Sequence, residues 1–331
     1  QRQMCIRDSY LTMKTFLRIL GTGASASSSK HVPSAQVFNI GNNYYMVDCG
    51  ETASFWLSRF NINVCRLRKV FITHMHADHY LGLPGIIYLM DLMGAKHLQV
   101  YGPVGLKEAI EPMLKLYGHK LRMDLELIEL TDGVSEVISS DDRLTVYSLP
   151  LEHSVPCIGY KFVQTDKGLE VPDEIIKEHN LDDFDIEQLE KGRLVRGLIP
   201  TEVCNTHHRF SYAYLSDTQY CPAIVPLIER CDVIYHETSF LHENALRAKK
   251  CLHSTTWNAA EIAKAADAGQ LLIGHYSRRY CFRKHIQKFQ DETKSVFPYT
   301  LAANEGMELD LRKGREMRFT FTNKMRELLE S

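Results

Sequence analysis

The chain has 331 residues, 44% of them hydrophobic and 24% charged, with a formal net charge of −2. That is the composition of a folded protein with material for a large core. It excludes a globally basic nucleic-acid binder, so an RNA partner would need cations gathered locally. No apolar run approaches the ~18–20 residues that span a bilayer, and no membrane partner or secretion signal is expected. Nine scattered cysteines, an odd number without a CxxC pair, favour free thiols in a reducing cytoplasm over a disulfide framework or a thiolate metal site.

Residues 1–12 lack periodicity and read as a tail outside the domain, with Met13 the natural start. A first strand is predicted at 16–20. Strands at 35–40 and 44–48 follow, paired antiparallel about a hairpin at Gly41-Asn42-Asn43. A helix at 52–60 precedes a strand at 69–72. Then come a helix at 83–93, a strand at 98–101 and an amphipathic helix at 104–117 ended by Gly118. Strands recur at 143–151 and 158–165. Residues 166–206 differ in being polar and charged. An acidic stretch (Asp182, Asp183, Asp185, Glu187, Glu190) precedes Lys191-Gly192-Arg193-Leu194-Val195-Arg196-Gly197, and the segment reads as an insertion projecting from the core. Strands at 210–215, 232–235 and 270–274 alternate with helices near 223–230 and 256–268, Gly269 being placed to end the latter. A last strand region at 299–310 leads to a polar tail at 314–331. Interleaved strands and helices predict one layered α/β domain over 13–313.

The chemistry concentrates in Thr73-His74-Met75-His76-Ala77-Asp78-His79, directly after a buried strand. Imidazole and carboxylate are ligands for zinc and related divalent ions, and solvation alone gives no reason to crowd them. Further polar residues follow later strands: His153, Asp217 and His275. Each alone reads as an ordinary core histidine or turn residue. Together they predict a joint site, because loops at one edge of a sheet converge. His74, His76 and His153 can hold one ion; Asp78, His79 and His275 can hold another; Asp217 can bridge both. Two such ions flanking a water form a hydrolytic centre.

The ordered motifs around His74–His79, His153, Ser216-Asp217-Thr218 and Gly274-His275-Tyr276 resemble the metallo-β-lactamase superfamily. Finer elements resemble its ribonuclease Z family of tRNA 3′-processing endonucleases. These are Leu20-Gly21-Thr22-Gly23-Ala24-Ser25, Val47-Asp48-Cys49-Gly50-Glu51, His236-Glu237-Thr238-Ser239-Phe240, His253-Ser254-Thr255 and His275-Tyr276-Ser277-Arg278-Arg279-Tyr280. The resemblance runs from about Leu17 to Ala303. It implies an αββα four-layer sandwich with two zinc ions per subunit, other divalent metals also suiting such a site. It implies that Asp78 is both ligand and proton acceptor, that His253 donates a proton to the leaving 3′ oxygen with Glu237 as its orienting partner, and that Arg279 meets phosphate. It implies precursor tRNA as substrate, cut after the discriminator base to leave a 3′-OH and a trailer with a 5′-phosphate. It also implies a homodimer, and makes the 166–206 insertion a tRNA-gripping arm on which Lys191, Arg193 and Arg196 are candidate phosphate contacts. The alternative is a hydrolase of small phosphodiesters or related esters using the same metal site, which would have no need of a long charged insertion.

Overall fold

The computed structural model describes residues 15–28, 31–118, 120–165, 168–280, 283–316 and 319–321. The expected tail at 1–12 lies outside the described residues. Two mixed sheets form the centre. The first has eight strands in the order Phe319–Phe321, Met307–Asp310, Phe16–Gly21, Ala35–Ile40, Asn43–Cys49, Leu67–Phe71, His97–Pro103 and Asp124–Leu130. The second has seven: Thr300–Ala302, Gln270–Gly274, Val233–Glu237, Ser211–Leu215, Ile158–Gln164, Leu144–Pro150 and Val137–Ser140. The predicted hairpin is present, with Ile40 paired to Asn43. Pairing is antiparallel through Asn43–Cys49 and parallel from Leu67–Phe71 onward, because helices there carry the chain back over one face.

Alternation along the strands gives each sheet two apolar faces. The inner faces meet in a core of Leu17, Phe38, Phe71, Tyr160, Phe162, Tyr212, Tyr214 and Tyr235. The outer face of the first sheet is covered by helices Ala53–Arg59, Leu83–Leu92 and Leu106–Lys115. The outer face of the second is covered by Thr256–Ala265 and Arg283–Lys294. Four layers in the order helix, sheet, sheet, helix result.

Several boundaries move for physical reasons. The helix expected near 223–230 is the 3-10 turn Pro222–Leu227, since Pro226 cannot extend an α-helix. The helix from Thr256 stops at Ala265, and Asp267 takes the left-handed φ of +47° that Gly269 was expected to supply. Gly269 is needed for space: a Cβ there would lie 2.6 Å from the Asp232 carbonyl oxygen. The single strand region expected at 299–310 is two strands in different sheets, Thr300–Ala302 and Met307–Asp310. Residues 319–321, expected in the polar tail, pair with Met307–Leu309 as the edge strand.

The insertion folds around its own small core of Val171, Ile176, Leu181, Ile186, Leu189 and Val195. It is fastened to the sandwich. Arg66 pairs with Asp183 at 2.7 Å, Lys191 with Asp142 at 2.8 Å, and the buried Arg143 lies 3.6 Å from Glu190 and 3.7 Å from Glu187. The acidic stretch therefore turns toward cations of the body.

Candidate active site

The strands that end at Phe71, Pro150, Leu215, Glu237 and Gly274 deliver the loops after them to one edge of the sandwich. The sheets are stitched there by Ile158 N–H donating to the Thr73 carbonyl (2.9 Å) and the Tyr160 hydroxyl donating to the Ile72 carbonyl (2.6 Å). All of the expected ligands meet at this edge. His74 Nε2 lies 2.9 Å from His76 Nδ1, which lies 3.3 Å from His153 Nε2. Beside this trio, His79 Nε2 is 3.6 Å and His275 Nε2 3.8 Å from Asp78 Oδ2. Asp217 stands between the two groups: its Oδ2 is 3.8 Å from His74 Nε2 and 3.7 Å from His79 Nε2, and its Oδ1 3.2 Å from His275 Nε2. The donor atoms of each trio lie within 4.8 Å of one another.

The surroundings fix which nitrogen points inward. Asp48, fully buried, accepts from His79 Nδ1 at 2.8 Å, from the Thr73 N–H and hydroxyl at 2.9 Å each, and from the Tyr214 hydroxyl at 3.0 Å. The Leu252 carbonyl holds His153 Nδ1 at 3.0 Å, and Ser239 Oγ holds His275 Nδ1 at 2.9 Å. The Ser25 N–H donates to Asp78 Oδ2 at 2.6 Å. Sequence reasoning gave none of these orienting residues a role. Their signal is structural: Asp48 and His275 both adopt left-handed φ (+54° and +59°), a strain that clusters at functional sites.

The residues fit a divalent cation. His79 Nε2 and His275 Nε2 are buried and form no hydrogen bond among the described residues, yet both face carboxylates. Such orphaned nitrogens are costly unless something positive sits between them and the acids. The electrostatics agree. Burial opposes charge on His79, but Asp48, Asp217 and Asp78 outweigh it and push the imidazole up to about 10. Burial likewise opposes charge on Asp217, and the imidazoles of His275, His79, His253 and His74 hold it well below the usual carboxylate range. A site this rich in converging nitrogens and carboxylates suits a divalent metal cation.

Next to the ligands, the buried Glu237 Oε1 accepts from His253 Nδ1 at 2.7 Å and from the Ser254 N–H at 3.1 Å; its Oε2 accepts from the Ser239 N–H at 2.8 Å. His253 remains partly open to solvent. Burial would lower its pKa, but the Glu237 charge and hydrogen bond raise it to about 9. Arg279 is exposed, four residues beyond His275, and pairs with no carboxylate among the described residues. The expected arm residues are elsewhere. Both stems of the insertion leave the sheet at the ends of Ile158–Gln164 and Ser211–Leu215 opposite the ligands, about 20 Å away by strand length. Lys191 pairs with Asp142 and Glu187, Arg196 with Asp185 at 2.5 Å, and Arg193 with the neutral Gln188.

Fold and ligands together define a metal-dependent hydrolase of the metallo-β-lactamase type. Solved structures share the architecture: human tRNase Z, short form, has a TM-score of 0.67 at 22% identity, covering 89% of this chain and 99% of that one. The metallo-beta-lactamase fold protein YhfI from Bacillus subtilis has a TM-score of 0.64 at 19% identity, covering 89% and 98%. A family profile described as Anti-Pycsar protein Apyc1 matches residues 15–132. Ribonuclease Z of Porphyromonas gingivalis is 36% identical over 304 residues, covering 89% of this chain and 98% of that protein. Ribonuclease Z of Cytophaga hutchinsonii is 38% identical over 299 residues, covering 88% and 94%. The chain belongs to the ribonuclease Z family.

Proposed function

We propose that the protein is an endoribonuclease that removes the 3′ trailer of precursor tRNA, cutting after the discriminator base to leave a 3′-OH on the tRNA and a 5′-phosphate on the trailer. The observation that carries this reading is the His253–Glu237 pair standing beside two converging ligand trios. His74, His76 and His153 would hold one divalent ion; Asp78, His79 and His275 the other; Asp217 would bridge. When bound, such a pair supplies an acidified water and positive charge for the phosphoryl oxygens, zinc being the ion the nitrogen-rich donors suit best. Asp78, kept ionised by His275 and His79 against its burial, is placed to take a proton from the attacking water. The P–O3′ bond breaks as the new P–O bond forms, and His253, protonated at neutral pH, gives its proton to the departing 3′ oxygen. Glu237 holds the ring for that transfer. Arg279 offers a planar fork to a phosphate oxygen.

Homodimerisation belongs to the same proposal: the insertion's cations stand about 20 Å from the candidate ligands by strand length and would serve a tRNA seated on a partner subunit. The seven described cysteines are all free, which supports a cytoplasmic location. No helix among the described residues is long and apolar enough to cross a membrane.

The second reading, hydrolysis of small phosphodiesters, draws support from the insertion, where Lys191 and Arg196 are already engaged with carboxylates. One experiment separates the two. Zinc-loaded protein is incubated with a 3′-extended tRNA and, in parallel, with bis(p-nitrophenyl) phosphate, beside an Asp78→Ala variant. The nuclease reading expects one cut after the discriminator, with the variant slower by ~10³-fold or more. Turnover of the small ester with intact tRNA would favour the second reading.

A further inference from the structure

The helix Ala245–Cys251 is bound at both ends to the site, and the reaction chemistry does not use it. At its start, the Asn244 amide donates to the Tyr280 hydroxyl at 3.1 Å, one residue from Arg279. At its end, Leu252 turns the chain at φ +54°; its carbonyl fixes His153, and His253 follows. Between these anchors the helix lines a groove of about 410 Å³ with Leu246, Arg247, Lys250 and Cys251. Arg247 and Lys250 are exposed and pair with no carboxylate among the described residues, and Leu246 is 84% exposed. Ala248 faces the core, and Lys249 projects from a different arc, about 100° from Lys250.

We propose that this groove is a phosphate-binding subsite for the tRNA side of the scissile bond, the backbone on the 5′ side of the cut, and not for the trailer. The inference rests on the nuclease reading. In that reaction the leaving oxygen is the 3′ oxygen of the tRNA, and His253 must lie against it. In-line displacement puts the attacking water on the far side of phosphorus. Whatever continues outward from His253 therefore meets the tRNA side. The helix does so through Leu252, presenting two unpaired cations along one face to a polyanion. The apolar Leu246 beside them offers a surface for a ribose or an unstacked base.

The test uses the full-length, zinc-loaded protein and an Arg247→Gln/Lys250→Gln variant, with Lys249→Gln as control. Metal content and melting temperature check that the double variant is folded; should it not be, the two single variants replace it. KM for 3′-extended tRNA is expected to rise about tenfold, and the slope of log KM against log salt to fall by about 2. The inhibition constant of the cleavage product, tRNA ending at the discriminator base and so without a trailer, is expected to rise by the same factor. An unchanged KM would make the helix a solvated face and overturn the proposal. A raised KM with unchanged inhibition by that product would assign the groove to the trailer and overturn it too. Failure of the wild-type protein to cut tRNA at all is a different result, and defeats the nuclease reading itself.

Discussion

The part proposed for His253, donating a proton, depends on what lies behind the ring. A partly buried imidazole left alone would lose its proton more readily. The buried carboxylate of Glu237, 2.7 Å away, reverses this and holds the pKa near 9. The protonated form then prevails at neutral pH and is lost as pH rises through that value. Glu237→Gln keeps an acceptor at Nδ1 and removes the largest charge opposing burial, leaving the more distant Asp217. We expect kcat on 3′-extended tRNA to fall at least ~10-fold and the alkaline limb of the pH–rate profile to move to lower pH. A variant that lost rate with no shift of the limb would leave Glu237 a purely structural carboxylate. The candidate ligands of the first loop were legible in the sequence, because HxHxDH crowds metal-binding groups within six residues. Asp48, Ser239 and the Leu252 carbonyl were not. Their roles depend on which imidazole nitrogen they meet across the sandwich, and no local pattern records that.

At the scale of elements, strands were the easier part. Short apolar runs bounded by turn residues placed 35–40 and 270–274 to the residue. Helices Ala245–Cys251 and Arg283–Lys294 escaped notice, the latter because its polar residues outnumber the apolar stripe that Ile286 and Phe289 press into the second sheet. The insertion was legible as a change of composition, but its docking was not, since the partners of its acids are Arg66 and Arg143, far away in the chain. Arg143 is the hinge pin: it is 3% exposed and faces both Glu187 and Glu190. Arg143→Ala would take the buried cation away from Glu190, at a cost of about 3 kcal/mol, while Glu187 keeps Lys191. We expect trypsin to cut near Lys191 and Arg193 markedly faster, while the sandwich itself resists. Equal cleavage rates in variant and wild type would mean that the other ion pairs suffice.

For the whole molecule, the site is also a source of stability. Loops from both sheets bring imidazoles and carboxylates to one edge, and the buried His79 and His275 nitrogens wait on a shared positive charge. Binding to the folded state alone adds RT ln(1 + [metal]/Kd), about 2.7 kcal/mol at a hundredfold excess. Chelation is therefore expected to lower the melting temperature by at least ~5 °C, and zinc to restore it. Identical melting curves with and without chelator would indicate that the edge is held by protein contacts alone.

The crossing between the two sheets near the end of the chain has one more consequence. Thr300–Ala302 closes one sheet and Met307–Asp310 joins the other, and between them the buried Glu305 accepts from the N–H and hydroxyl of Thr22 and from the N–H of Val32. That clasp anchors the loop whose Ser25 N–H meets Asp78. A chain cut short before residue 305 would keep every candidate ligand from His74 to His275, yet lack the buckle behind the Ser25 contact that trims Asp78. Such a fragment carries the motif without the finished blade.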